Sequence, residues 1–123
     1  MPQNTSVGVR NITYPLTPPT PFPTTLAAGA TWNSGLLRNR TLNPNLTFCI
    51  TSDQNGTASI QRYGDTAGLA PVGPAIPLNV VANEPASLSV TDGAPYQTFI
   101  VTFENTGGVA ANISNCVLLA GPH

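Results

Sequence analysis

Apolar and polar residues alternate with a period of two along much of this chain, the pattern of strands that keep one face in a core and the other in solvent. The longest such run extends from Pro95 to Ala120. Within it Phe99, Val101 and Phe103 share one face of an extended strand, and Thr98, Ile100 and Thr102 share the other. Asn105-Thr106-Gly107-Gly108 follows, a set of residues that accept positive φ. The pattern therefore predicts a long β-hairpin returning through Val109, Ala111, Ile113, Val117 and Leu119. Leu46, Phe48 and Ile50 alternate in the same way. Asn55-Gly56 beyond them predicts a second hairpin, with residues 57–63 as its return strand. Residues 26–38 predict one strand broken at Asn33-Ser34, and residues 78–82 and 86–90 predict two more around Asn83-Glu84-Pro85. No stretch has a helical period.

These elements, about seven or eight strands with frequent turns, predict an all-β fold: a single antiparallel β-sandwich, immunoglobulin-like or jelly-roll, over residues 26–123. Trp32, Phe48, Ile50, Ile60, Val90, Phe99, Val101, Phe103 and Ile113 are its expected core. A different pattern governs residues 1–25. The prolines between Tyr14 and Pro23 remove backbone donors and bias their neighbours to extended geometry, so this part is expected to be an extended proline-rich N-terminal arm. Val7, Val9, Ile12, Tyr14, Leu16 and Phe22 are more apolar than a solvated tail needs, and they are the candidate partner-binding residues. Gly64 to Pro77 is rich in proline and glycine and reads as a loop, the second candidate contact surface.

Composition sharpens this picture. Charged residues make up 7% of the 123, against about 25% in typical domains. There is no lysine, and Thr, Asn, Ser and Gln carry the polarity. A net charge of −1 gives little mutual repulsion between copies, so much of the surface is expected to be covered by other protein. Four scattered arginines provide no basic stripe, so neither nucleic acid nor an anionic membrane surface is an expected partner. No apolar run reaches the roughly 18 residues of a membrane span. Met1-Pro2-Gln3-Asn4 lacks the basic start of a secretory signal, and synthesis in the cytosol is expected. Asn-x-Ser/Thr triplets at Asn4, Asn11, Asn39, Asn45, Asn55 and Asn112 are then ordinary products of a Thr- and Asn-rich composition.

The inventory of reactive side chains points away from catalysis. The one histidine is His123, which leaves no internal imidazole for a nucleophilic triad or a zinc site. Each of the five acidic residues lies in or beside a predicted turn, where acids are ordinary, so paired carboxylates for glycoside hydrolysis are not expected. Asp53-Gln54-Asn55-Gly56 echoes part of a calcium loop but lacks its remaining acidic ligands. No enzyme activity, cofactor or metal is expected. Cys49 and Cys116 lie on separate predicted strands and form a candidate disulfide pair; two buried free thiols are the alternative that cytosolic synthesis favours.

Four segments, Leu26 to Leu37, Thr51 to Gln61, Val81 to Pro85 and Ala94 to Gly108, together resemble a small β-sandwich found among tailed-bacteriophage virion proteins. The resemblance covers about residues 25 to 120 and rests on strand starts and turns rather than on an invariant motif. It implies a head decoration, or cement, protein: a structural virion protein on the capsid surface, bound to the major capsid protein. A homo-oligomer, with three copies fitting the threefold sites of capsid lattices, goes with this role. The resemblance extends to tail or fibre adhesion modules that bind host-surface glycans, the alternative function. The proline-rich arm lies outside the shared pattern. It suits the first role, since an extended terminus can lie in a groove or add a strand to a neighbour, and deletion of residues 2–24 is expected to leave the sandwich folded.

Overall fold

Period-two alternation becomes two stacked sheets in the computed structural model, which describes residues 14–39 and 45–121. In chain order the strands are β1 (Tyr14–Pro15), β2 (Thr25–Leu26), β3 (Thr31–Asn33), β4 (Leu37–Arg38), β5 (Asn45–Ser52), β6 (Gly56–Tyr63), β7 (Ile76–Val80), β8 (Pro85–Val90), β9 (Thr98–Asn105) and β10 (Ala111–Gly121). Every pairing among them is antiparallel. The first sheet has the order β1-β10-β5-β8, with β2 also on β10; the second has the order β3-β9-β6-β7, with β4 also on β9. No helix occurs among the described residues. The fold is the all-β sandwich that the alternation predicts.

Its core lies between the sheets. Phe48 and Ile50 of β5, Leu118 of β10 and Val90 of β8 face Phe99, Val101 and Phe103 of β9 and Ile60 of β6. All nine residues expected in the core are buried, and Phe48, Phe99 and Phe103 have no exposed surface at all. Truncating any of these three rings to alanine should cost about 3–5 kcal/mol, a large part of a domain's stability.

Neither expected hairpin forms. β9 and β10 belong to different sheets, and so do β5 and β6; each pair is joined by an arch that crosses the core instead of a turn that keeps two strands side by side. Alternation establishes that a strand has an apolar face, but not which strand it hydrogen-bonds, and here the apolar faces meet across the sandwich. The turn residues also act differently from expectation. Asn105, Gly107 and Gly108 keep negative φ. The buried Asn105 side chain instead pins the arch, donating from Nδ2 to the Leu26 and Val109 carbonyls (3.0 and 2.9 Å) and accepting the Gly107 N–H (2.9 Å).

Three further differences follow from local geometry. The strand expected over residues 26–38 is divided between the sheets: β2 pairs with β10, while β3 and β4 follow one another along β9. A bulge at Asn115, with φ of 56°, shifts the phase of β10, so Ile113 and Leu118 both point inward while Val117 faces out. Finally, the loop expected through Pro77 ends earlier, because β7 begins at Ile76 and takes in Pro77. β7 is the outer strand of its sheet, where a missing N–H leaves no ladder bond unmade.

The proline-rich segment is built into the sandwich from Tyr14 onward. Tyr14 and Pro15 pair with Ala120 and Leu119 at one end of β10, and Thr25 and Leu26 pair with Asn112 and Ala111 at the other. Between them the chain leans across to the second sheet, where Thr20 N–H donates to the Ser34 carbonyl (3.0 Å) and Trp32 Nε1–H to the Pro21 carbonyl (3.0 Å). Phe22 is half-buried, its ring centroid 5.3 Å from that of Trp32 and 6.3 Å from that of Phe48. The segment thus closes one open side of the sandwich. Prolines suit this place, since an edge segment needs few donors and stiffness lowers the entropy lost on ordering.

Candidate functional site

This closure reassigns part of the candidate contact surface. Leu16 and Phe22 pack against the core of their own chain, and the Tyr14 backbone is paired with β10. Val7, Val9 and Ile12 lie outside the described residues. A deletion of residues 2–24 would therefore also remove the contacts of Pro21 and Phe22 with Trp32, packing that the expectation of a separate arm did not count.

Two surfaces remain as candidates. On the first sheet, residues that alternate with the core positions form the outer face: Thr47, Cys49 and Thr51 of β5, Ser87 and Ser89 of β8, and Val117 of β10. Their register makes continuous rows across the strands, Leu119 beside Thr47 beside Ser89 and Val117 beside Cys49 beside Ser87. Thr47 Oγ1 and Ser89 Oγ lie 3.1 Å apart along one row. No charged side chain interrupts these rows.

The second surface is the region around residues 64–77. Asp65 organises it: its carboxylate accepts the Leu69 and Ala70 N–H groups (2.9 and 3.0 Å), which holds its pKa below the ordinary carboxylate value. Gly64 N–H reaches the Ala70 carbonyl (2.8 Å), and Thr98 Oγ1 donates to the Asp65 carbonyl (2.7 Å). Next to this loop is an open groove of about 480 Å³, walled by Val72, Pro74, Ala75, Ile76 and Ala94. Arg62 and Asp92 also line it. The buried Arg62 guanidinium makes a bidentate pair with the Asp92 carboxylate, both bonds 2.7 Å, and lies 5.7 Å from the centre of the Tyr96 ring. The hydrogen bonds from Arg62, helped by the Ala94 N–H, hold the Asp92 pKa down at about 2. Burial pushes the Tyr96 hydroxyl up to about 12.

The remaining polar and sulfur groups serve local structure. Asp53 accepts from Asn112 N–H and Nδ2–H (2.7 and 2.9 Å), and Asn55 Oδ1 accepts from Ala82 N–H (2.9 Å), so the calcium-like fragment ties the ends of strands together. No group of three or more metal-ligating side chains occurs among the described residues. Cys49 and Cys116 are unbonded. Cys49 alternates with buried Phe48 and Ile50 and so lies on the outer face, whereas Cys116 packs against the core beside the Asn115 bulge. Burial raises the Cys116 thiol to about 11, which leaves it protonated and unreactive at neutral pH.

Sequence reasoning missed the roles of Arg62, Asp92 and Asp65. Arg62 sits at an inward position of a strand, and an inward charge on an alternating pattern is the signal that a paired carboxylate must lie opposite. No family model matches the chain, and no curated protein matches it.

Proposed function

We propose that this protein is a structural virion protein that binds the outside of a bacteriophage capsid and stabilises it, as head decoration proteins do. The observation that carries the reading is the uncharged outer face of the first sheet, where rows of Thr, Ser, Cys, Val and Leu run across β10, β5 and β8. Such a face loses little solvation when another protein covers it, and the major capsid protein is the partner that the resemblance of residues 25 to 120 implies. Val7, Val9 and Ile12, ahead of the sandwich, are the arm's contribution to that contact.

Adhesion to host glycans is the weaker reading because it needs an exposed aromatic platform. Among the residues whose side chains are described, Trp32, Phe48, Tyr96, Phe99 and Phe103 are buried, and Phe22 and Tyr63 are half-buried. The test is to mix purified protein with undecorated heads of the virus that encodes it and count the copies bound. Ser87→Lys and Val117→Asp, both on the uncharged face, should lower occupancy at least tenfold, and deletion of residues 2–12 should lower it further. Failure of the unaltered protein to bind any head would remove the reading.

A further inference from the structure

We infer that two copies of this chain associate about a twofold axis, the loop tip around Leu69 of each copy filling the groove beside the same loop in the other. Leu69 is 80% exposed, the most exposed large apolar side chain among the described residues. It is not a lone apolar residue on an otherwise polar loop, because Ala67, Ala70 and Pro71 beside it are exposed as well. Exposed leucines are common on mobile loops, but this loop is fixed. Asp65 holds the Leu69 and Ala70 N–H groups, Gly64 N–H holds the Ala70 carbonyl, and Gln97 Nε2–H holds the Gly64 carbonyl (2.9 Å). Gly68, at φ of 74°, lies so close to Leu36 that a Cβ there would be 2.9 Å from Leu36 Cδ1. An apolar tip held this firmly has already lost the entropy that docking would otherwise cost.

The receiving surface belongs to the same stretch of chain. Three residues beyond Leu69 begin the walls of the groove, which Val72, Pro74, Ala75 and Ile76 form together with Ala94. Gln61 Nε2–H fixes one wall through the Gly73 carbonyl (3.0 Å). The groove, about 480 Å³, is open to solvent, so an apolar side chain projecting from outside, such as Leu69 of a second copy, can enter it. Its two charges, Arg62 and Asp92, are paired with each other, so an apolar insert meets no unpaired charge. Projection and groove are consecutive in the chain, and a twofold axis between them would satisfy both at once: each copy gives a tip and receives one. With a formal charge of −1 per copy, electrostatic repulsion scarcely opposes the approach.

Sedimentation of the full-length protein, without capsids, tests this independently of the virion reading. Dimers should form with a Kd no weaker than roughly 100 μM, the range of small interfaces with one anchor. Leu69→Asp removes the tip and Ala75→Trp fills the groove; both positions are exposed, so urea unfolding midpoints should match the unaltered protein. Each variant alone should dimerise at least about thirtyfold more weakly, the loss expected for a central apolar anchor, while Leu69→Met should retain dimers. Mixing the two variants should restore 1:1 association, because one intact tip then meets one intact groove. A monomer at all concentrations, a trimer, dimers that survive Leu69→Asp, or a mixture that stays monomeric would each overturn the inference. So would a monomer that binds phosphatidylcholine vesicles through Leu69.

Discussion

Gly56 lies against the ring of Phe103: a Cβ at position 56 would collide with Phe103 Cε1 and come within 2.5 Å of the Glu104 carbonyl oxygen. Gly56 has no positive φ, so its glycine is required by close approach across the β6-β9 pair and not by a turn. Gly56→Ala should therefore lower stability by about 1–3 kcal/mol, as overpacking does, with a lower urea midpoint and an unchanged slope. Equal midpoints for the two proteins would show that the pair of strands can separate without cost.

Phe22 against Trp32 and Phe48 gives the next prediction. The ring is only half-buried, so Phe22→Ala should cost about 2 kcal/mol, below the range for a fully buried phenylalanine. Trp32 fluorescence should shift to longer wavelength in the variant as the indole gains solvent. Deletion of residues 2–24 should lower the thermal midpoint steeply relative to deletion of residues 2–12, which keeps Pro21 and Phe22 in place. Equal midpoints for the two deletions would sink the idea that the proline-rich segment closes the sandwich.

How much of this was legible in the sequence depended on distance along the chain. Alternation placed Phe48, Ile50, Phe99, Val101 and Phe103 correctly because facing in or out is a local property of the pleat. It could not tell an arch from a hairpin, since Asn55-Gly56 and Asn105 to Gly108 are turn-like in composition but are used for a tight approach and for side-chain bonds. Phe22 was legible as apolar, yet its partner Trp32 lies beyond a nine-residue stretch that includes Pro23 and Gly29, and nothing local indicates whether such a ring serves its own chain or another. The groove was legible only as a proline-rich loop. Its charge pair joins Arg62 to a turn residue, Asp92, whose role becomes visible once β6 and the turn are brought together.

Asn115 holds the bulge of β10 in the left-handed region, at φ of 56°. Asn115→Gly should be nearly neutral, because relief of the roughly 1 kcal/mol left-handed cost offsets the greater freedom of glycine in the unfolded chain. Asn115→Val should be worse by about 1–2 kcal/mol, since a β-branched residue resists that conformation and the phase change between Ile113 and Leu118 depends on it. Urea midpoints would decide it, and a valine variant as stable as the parent would mean that another residue sets the bulge.

The Arg62–Asp92 pair predicts how stability changes with acid. Asp92 titrates near 2 in the folded protein, below its usual 3.8, because Arg62 and the Ala94 N–H favour the carboxylate. A carboxyl with a depressed folded pKa contributes its full stabilisation above the unfolded value and loses it as protons bind the native state. The thermal midpoint should therefore be level from pH 8 to about pH 5 and fall between about pH 4 and pH 2. Asp65, lowered by the Leu69 and Ala70 N–H groups, adds to the same fall. Asp92→Asn should lower the midpoint at pH 7 by leaving the buried Arg62 without its charged partner, and its curve should converge on that of the parent as pH approaches 2. Because the Asp92 side chain is largely exposed, 1 M salt should shrink the gap at pH 7 as well. A gap that stays constant from pH 7 to pH 2 would place the cost of the substitution in packing around Tyr96 instead of in the ion pair.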